Sequence, residues 1–196
     1  RGTRQGLDHR GAFISENEMA TGGQSVGPHS RKPGLIIQTA TAPHGEGLVT
    51  APIGKAQLAK VGFEYPGQTE FLAEVCGLAP DEAVMMLAGP SLRAVPLTVH
   101  CALADVPGRL SQELITRRAR IVAAALAHDF GIAEPRIAVC GLNPHAGENG
   151  RFGDEEARII APAIETLVAE GIAVTGPHPA DALFTPRARQ TYDAAL

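Results

Sequence analysis

A glycine-rich stretch in the second half of the chain holds the residue types best suited to chemistry. Residues 141–156 read GLNPHAGENGRFGDEE, so an apolar run is followed by Asn143, His145 and Glu148 and then by closely spaced glycines. In α/β sheets, ligands bind at the carboxyl ends of strands, and this stretch is predicted to follow a strand. The residues by themselves are equally compatible with a ligand-binding loop and with a loop that contains a chance histidine.

Two further polar residues also follow predicted strands. His100 ends the apolar run AVPLTVH, and Asp181 follows the segment GPHPA. A single histidine in such a place is more often an ordinary core or surface residue. Two strand-end histidines in one half of the chain nevertheless favour a metal site, because imidazole is a common ligand of transition metals. Asp181 is equally well explained as the N-cap of a helix that begins near Ala182.

The elements that must position these residues alternate between strands and helices. Apolar runs bounded by glycine and proline are predicted as strands at residues 47–52, 82–87, 95–100, 136–142 and 172–175. Apolar periodicity and terminating residues predict helices at residues 55–61, 69–78, 111–130 and 154–170. Strands that alternate with helices of this length are typical of a layered sheet. The sequence therefore predicts an α/β fold.

The composition changes near residue 46. Residues 1–46 contain 12 apolar residues and 11 glycines or prolines, without a helical or strand period. We expect this segment to be mostly irregular, with one short strand at residues 35–37, and residues 47–196 to form the α/β region. The last residues, Asp193–Leu196, look like the beginning of a buried strand. A sheet left open in this way suggests a truncated protein.

Composition and charge exclude several classes of partner. The chain has 196 residues, of which 44% are hydrophobic and 19% charged, enough apolar material for a folded core. Its net charge of -4 offers no basic field for nucleic acid, and no apolar run approaches the roughly 20 residues of a membrane span. Three cysteines without a CxxC pair suit reduced thiols. We therefore expect a cytoplasmic protein that binds neither nucleic acid nor a membrane.

Five motifs, in this order, resemble the 4-hydroxythreonine-4-phosphate dehydrogenase family of pyridoxal phosphate (vitamin B6) biosynthesis. They are GLVTAPIGK at residues 47–55, GQTEFLAE at 67–74, the strand that ends in His100 with Asp105 close behind, GLNPHAGENGRFGDEE at 141–156 and TGPHPADALF at 175–184. The resemblance covers residues 47–196. Residues 1–46 do not resemble the regular α/β opening of the family, so the chain looks truncated at both ends.

The resemblance implies a homodimer of two-domain subunits with the layered α/β/α fold of isocitrate and isopropylmalate dehydrogenases, here incomplete. It implies a divalent metal (Zn, Mg or Co) and NAD or NADP as cofactors, without identifying the residues that bind the nucleotide. The reaction would oxidise 4-phosphohydroxy-L-threonine to a β-keto acid, which decarboxylates to 3-amino-2-oxopropyl phosphate. By the same resemblance, His100 and His145 are metal ligands, and the third histidine of the family would follow Leu196.

Four further residues are candidates for the site. The resemblance implies that Gln68 and Thr69 contact the substrate, but the family usually has histidine where this chain has Gln68. Glutamine can donate a hydrogen bond but carries no charge. We therefore expect it to bind a phosphorylated substrate less well than a histidine would. Asp181 is expected to act in catalysis, by orienting a ligand or relaying a proton. Lys55 is a weaker candidate for anion binding and is better explained as an exposed, solvated side chain.

Two alternatives to this leading hypothesis stay open. The glutamine at position 68 is compatible with a paralogous dehydrogenase that acts on another hydroxy acid or on a cyclic dihydrodiol. The irregular residues 1–46 and the missing third histidine are compatible with an inactive fragment, truncated or frameshifted upstream of Gly47.

Overall fold

A computed structural model of the chain describes residues 13–15, 37–42, 45–50, 60, 62–63, 65, 67–75, 78–79 and 82–196. Contacts divide the chain into two compact units, one combining Arg1–Asn17 with Thr69–Leu196 and the other formed by Glu18–Gln68. Among the helices in the described ranges, none is both long and apolar enough to cross a membrane.

The described residues form eight β-strands. In chain order these are β1 (Phe13–Ser15), β2 (Ile37–Ala42), β3 (Gly45–Thr50), β4 (Val84–Gly89), β5 (Leu92–Ala94), β6 (Arg136–Cys140), β7 (Ala173–His178) and β8 (Ala194–Ala195). Strands β2 and β3 form an antiparallel hairpin within the smaller unit. The other six form one sheet in the order β1-β4-β5-β8-β6-β7. Within it, β5, β8, β6 and β7 are all parallel to one another, and β4 runs antiparallel to β5.

Helices connect the strands of the larger sheet. The α-helices are α1 (Gln68–Val75), α2 (Val106–Arg109), α3 (Gln112–His128), α4 (Ala161–Ala169) and α5 (Ala180–Leu183). Shorter segments are the 3₁₀ turns Leu103–Asp105 and Ala188–Gln190 and the turn Pro144–Gly147. One π-helical turn, Glu156–Ile160, leads directly into α4. The longest helix, α3, begins where Ser111 accepts a hydrogen bond from the backbone N–H of Leu114, 3.1 Å away, as an N-cap.

Most of the predicted elements are present, with shifted ends. The helices expected at 111–130 and 154–170 and the strands expected at 136–142 and 172–175 are confirmed. Residues 37–42 form the regular hairpin strand β2, whose alternating Thr and Ala residues pair with β3. Most of residues 1–46 lie outside the described part of the chain, so the expectation of a mostly irregular segment there stays a prediction. The helix expected at 55–61 falls on residues that, except for residue 60, lie outside the described part of the chain.

The strand expected at 95–100 is wrong. The strand in this region is β5, which ends at Ala94. The backbone N–H of Val95 still donates to the carbonyl of Ala195, at 2.8 Å, but the next residue is Pro96, which has no N–H to continue the ladder. His100 therefore lies in an irregular segment beyond the strand, not at its last position.

The larger sheet is packed on both faces. On β6, Ile137 and Val139 belong to one buried cluster, whereas Ala138 between them belongs to another. Because successive side chains of a strand point to opposite faces, these two clusters cover the two faces of the sheet. The first cluster contains most of the buried residues of α3 and those of α4, and the second contains Leu183 of α5. The predicted layered α/β/α architecture is thereby confirmed.

One ion pair joins β6 to the segment that enters β8. The carboxylate of Asp193 accepts hydrogen bonds from the backbone N–H of Arg136, at 2.8 Å, and from its guanidinium, at 3.0 and 3.1 Å. The Asp193 side chain is only 18% exposed. The hydrogen bonds from Arg136 hold the pKa of Asp193 below its ordinary value. The pair thus ties two strands together at the amino-terminal edge of the parallel strands.

Replacing Asp193 with Asn should lower the free energy of unfolding at pH 7 by about 1–3 kcal/mol, because hydrogen bonds to a charged group are lost. The folded-state pKa lies below the ordinary value of 3.8, so this stabilisation is complete above 3.8 and is lost as the pH falls through the folded-state pKa. Urea unfolding measured from pH 7 to pH 3 should therefore show a difference in the free energy of unfolding between wild type and variant, and this difference should narrow only in acid.

The matched control is Asp154→Asn, whose ion pair with Arg158 joins side chains that are 69% and 59% exposed. It should change the free energy of unfolding by less than about 0.5 kcal/mol. A gap for Asp193→Asn that stays the same at pH 3 and pH 7 would contradict the assigned role of the ion pair.

Candidate functional site

Three parallel strands direct their loops to the same edge of the sheet. His100 comes six residues after the end of β5, His145 five residues after β6, and Asp181 three residues after β7. Only β8 separates β5 from β6, so the axes of these two strands are about 10 Å apart at the usual spacing of neighbouring strands. The topology therefore brings the three loops to the carboxyl edge, where α/β sheets bind ligands.

The two histidines at this edge are exposed, and both have left-handed backbone conformations. The φ angles are +50° at His100 and +54° at His145. Neither imidazole forms a hydrogen bond within the part of the chain that the structure describes, although the His145 ring lies 6.2 Å, centroid to centroid, from that of Phe152. Their ring nitrogens are therefore accessible to a ligand from solvent.

The segment that carries His145 is a left-handed turn. Six consecutive residues, 145–150, have positive φ angles, of 54°, 52°, 78°, 43°, 56° and 87°. Only two of them are glycines, and each of the other four costs about 1–2 kcal/mol in this conformation. Such strain persists only where surrounding contacts impose it, and it is concentrated at functional sites. The turn is the most strained element in the described part of the chain.

A buried carboxylate lies behind this turn. Glu156, which is 5% exposed, accepts a hydrogen bond at Oε1 from the backbone N–H of Asn143, at 2.6 Å, and at Oε2 from the side-chain amide of Asn143, at 3.0 Å. Burial alone would raise the pKa of Glu156, but hydrogen bonds from the Asn143 side chain and from backbone N–H groups, including that of Asn143, together leave the pKa below its ordinary value. Glu156 is therefore charged at neutral pH. It faces protein donors, not the solvent.

Two glycines allow the loop to close around these groups. A Cβ atom at Gly147 would lie 2.7 Å from Oε2 of Glu156, and one at Gly153 would lie 2.5 Å from the amide nitrogen of Asn143. Gly150 has a similar left-handed φ of +87°, but nothing described lies within 4 Å of a Cβ placed there. Gly147 is therefore required both by its conformation and by lack of space, whereas Gly150 is required by conformation alone.

Asp181 lies in the first turn of α5, so it is not the N-cap of that helix. The N-cap position belongs to Pro179, and the Oδ1 atom of Asp181 accepts from the backbone N–H of Ala182, at 2.9 Å. The side chain is exposed at the same edge of the sheet as the two histidines. The strand predicted at residues 172–175 stops short of His178, which ends β7 and whose Nε2 lies 2.9 Å from Thr175 Oγ1. His178 was therefore not recognised from the sequence as a strand-end histidine.

The remaining candidates lie earlier in the chain. Thr69 is half-buried in α1, which begins at Gln68, and nothing is described of the Gln68 side chain. The unit boundary falls between these two residues. Lys55 lies outside the described residues.

The histidines supply only part of a metal site. Imidazole nitrogen suits zinc and cobalt, but catalytic zinc sites usually have three protein ligands. In the described ranges, no group of three or more His, Cys, Asp or Glu side chains is arranged to hold a metal ion. Cys140 at the end of β6 does not help, because burial, together with the charge of Glu156, raises the pKa of its thiol. Two imidazoles therefore fit a metal only if other groups complete its coordination.

Comparison with known proteins gives a consistent assignment. Residues 36–196 match the family model described as "Pyridoxal phosphate biosynthetic protein PdxA". The match begins upstream of the first of the five motifs, which starts at residue 47. A relative from Erythrobacter litoralis, named 4-hydroxythreonine-4-phosphate dehydrogenase, is 68% identical over 162 residues, which are 83% of this chain and 48% of the relative. The chain spans about half the length of the curated relatives it matches.

Solved structures agree with this match. The crystal structure of 4-hydroxythreonine-4-phosphate dehydrogenase from Klebsiella pneumoniae aligns with a TM-score of 0.64 and 40% identity, over 74% of this chain and 43% of that one. A terephthalate 1,2-cis-dihydrodioldehydrogenase from Burkholderia xenovorans aligns with a TM-score of 0.58 and 35% identity, over 66% of this chain and 40% of that one.

The two glycines of the turn provide a test of its geometry. Gly150→Ala should lower the free energy of unfolding by about 1–2 kcal/mol, the cost of a left-handed alanine. Gly147→Ala should cost about 1–3 kcal/mol more, because its methyl group also displaces the buried carboxylate of Glu156. Urea unfolding of the two variants measures the difference. Equal losses for the two variants would show that the turn does not close on Glu156.

Proposed function

The chain belongs to the pyridoxal phosphate biosynthetic protein PdxA family, and we propose on this premise that the protein containing it oxidises 4-phosphohydroxy-L-threonine with NAD or NADP. The product is a β-keto acid that loses CO2 to give 3-amino-2-oxopropyl phosphate in vitamin B6 biosynthesis. Two observations support the proposal. His100 and His145 follow strands that end at the same edge of the sheet. The chain is also 68% identical to a relative named 4-hydroxythreonine-4-phosphate dehydrogenase.

In this proposal, His100 and His145 hold a divalent cation, Zn, Mg or Co. Both side chains are exposed at the carboxyl edge of parallel strands, and both extend from loops that leave their ring nitrogens accessible. Such an ion, when bound, makes a substrate hydroxyl more acidic and polarises the carbonyl formed from it. Neutral imidazoles suit that role because they leave most of the positive charge of the ion uncompensated.

Asp181 is proposed to orient a ligand or to relay a proton at the same edge. Its carboxylate is exposed, and one oxygen already accepts the N–H of Ala182, which limits its rotation. A carboxylate fixed in this way can accept a further hydrogen bond from a substrate hydroxyl or from a ligand imidazole. Its position after β7 places it beyond the His145 loop in the strand order.

Gln68 and Thr69 are proposed to contact the substrate at the start of α1. Gln68 also favours a second candidate function, in which the substrate is another hydroxy acid or a cyclic dihydrodiol and lacks a phosphate. An uncharged glutamine suits such a substrate better than it suits a phosphate. The likeness to the terephthalate 1,2-cis-dihydrodioldehydrogenase, at 35% identity, supports keeping this candidate.

We further propose that the protein is a cytoplasmic homodimer whose partners are small molecules. The net charge of -4 supports the exclusion of nucleic acid. Because the chain spans about half of its relatives, we expect the 196-residue chain by itself to bind metal weakly and to show no measurable turnover.

Metal binding tests the two proposed ligands directly. Calorimetric titration of the 196-residue chain with zinc or cobalt should show weak binding that His100→Ala and His145→Ala each weaken at least tenfold, since loss of even a second-shell partner costs about 10–100-fold. His128→Ala is the matched control, because that exposed histidine lies on α3 and bonds only Asp129. Tight binding that neither substitution changes would show that other residues are the ligands.

Substrate class is tested in a chimera in which residues 36–196 replace the corresponding part of the Erythrobacter litoralis relative. NAD(P)H formation should be observed with 4-phosphohydroxy-L-threonine. Gln68→His should raise kcat/KM for that substrate by about tenfold, because charge-assisted hydrogen bonds to phosphate are roughly twice as strong as neutral ones. Turnover of a cis-dihydrodiol without turnover of the phosphorylated substrate would instead support the second candidate.

A further inference from the structure

We propose that Glu156 is a positioning residue for His145, because its buried carboxylate holds the left-handed turn from which the imidazole extends. The inference rests on the proposed role of His145 as a metal ligand. Glu156 does not contact the imidazole in the described structure, so its effect must pass through Asn143 and the turn.

Both oxygens of Glu156 are engaged by a single residue of the loop. Oε1 accepts the backbone N–H of Asn143, at 2.6 Å, and Oε2 accepts its side-chain amide, at 3.0 Å. Asn143 lies two residues before His145, so these bonds fix the backbone immediately ahead of the imidazole. A two-point contact restrains the direction of the chain as well as its position. A single hydrogen bond would not.

The carboxylate itself is held by the core. Glu156 begins the π-helical turn that leads into α4, and Ile159 and Ile160 of that turn are buried in the main cluster. The support for the loop is therefore an element that cannot shift without disturbing the packing between α4 and the sheet. A residue that positions a loop needs such a rigid support.

The loop closes around the carboxylate from both sides. A Cβ at Gly141, before Asn143, would lie 3.2 Å from Oε1, and a Cβ at Gly147, within the turn, would lie 2.7 Å from Oε2. The left-handed residues of the turn keep their strained conformation only if surrounding contacts impose it. Glu156 is a buried group in contact with this loop, through its bonds to Asn143 immediately before the turn.

Glu156→Gln is the decisive substitution because it keeps the shape and removes one acceptor. The new amide nitrogen would face the amide nitrogen of Asn143, placing two donors against each other. Glu155→Gln is the matched control: Glu155 Oε2 also accepts the Asn143 amide, at 2.7 Å, but Glu155 is less buried and makes no bond to the Asn143 backbone.

The test combines a metal readout with a backbone readout on the 196-residue chain. Cobalt affinity by calorimetry should fall about tenfold or more in Glu156→Gln, the loss typical of outer-shell partners, and the visible cobalt spectrum should change. Amide chemical shifts of Glu148 and Asn149, measured without metal, should also move. Glu155→Gln should leave the affinity within twofold and those shifts nearly unchanged.

The outcomes separate this inference from the proposed function. If His145→Ala weakens cobalt binding and Glu156→Gln does not, the positioning role is overturned and the metal role of His145 stands. If His145→Ala binds cobalt as wild type does, the metal role is overturned, and the amide shifts alone then decide whether Glu156 holds the turn. If Glu156→Gln fails to fold by circular dichroism, Asn143→Ala, which retains the backbone donor, should give a smaller loss of affinity; an unchanged affinity overturns the proposal.

Discussion

The arrangement of the site depends on the two-residue strand β8. Ala194 and Ala195 are at most 1% exposed and lie between β5 and β6, which have no direct pairing with each other. Backbone hydrogen bonds of 2.7–2.9 Å hold this strand on both sides. On the β5 side, Val95 donates to Ala195. On the β6 side, Leu196 donates to Ala138 and Cys140 donates to Leu196. Small side chains fit here because helices cover both faces of the sheet. Without this pairing, the loops after β5 and β6 would not share an edge.

The chain departs most from ordinary local structure where its function is proposed. Four residues other than glycine adopt left-handed conformations in the turn at residues 145–150, and a charged carboxylate is buried behind them. Each feature is unfavourable alone. The carboxylate accepts hydrogen bonds from Asn143, two residues before His145, whose ring remains exposed.

In the proposed function, the described residues supply only part of a metal site. The two exposed imidazoles offer fewer ligands than a catalytic metal usually has, and the family relatives are about twice as long as this chain. Further protein groups would have to complete the proposed metal coordination. The proposed metal ligands His100 and His145 lie in one unit, whereas Gln68 and Thr69 fall at the boundary between two units.

Much of this protein could be predicted from the sequence, because the signals are local. The apolar periodicity predicted α3, and the motif around His145 predicted both a strand-end loop and the family. Strand order could not be predicted, because it joins β8 to strands that lie about 50 to 100 residues earlier in the chain. The left-handed conformation of His145 was also out of reach, because no local pattern signals it and the nearby bonds between Asn143 and Glu156 exist only in the folded chain. Local periodicity determines which elements form, whereas contacts between distant residues decide which of them meet and which strained conformations they can hold.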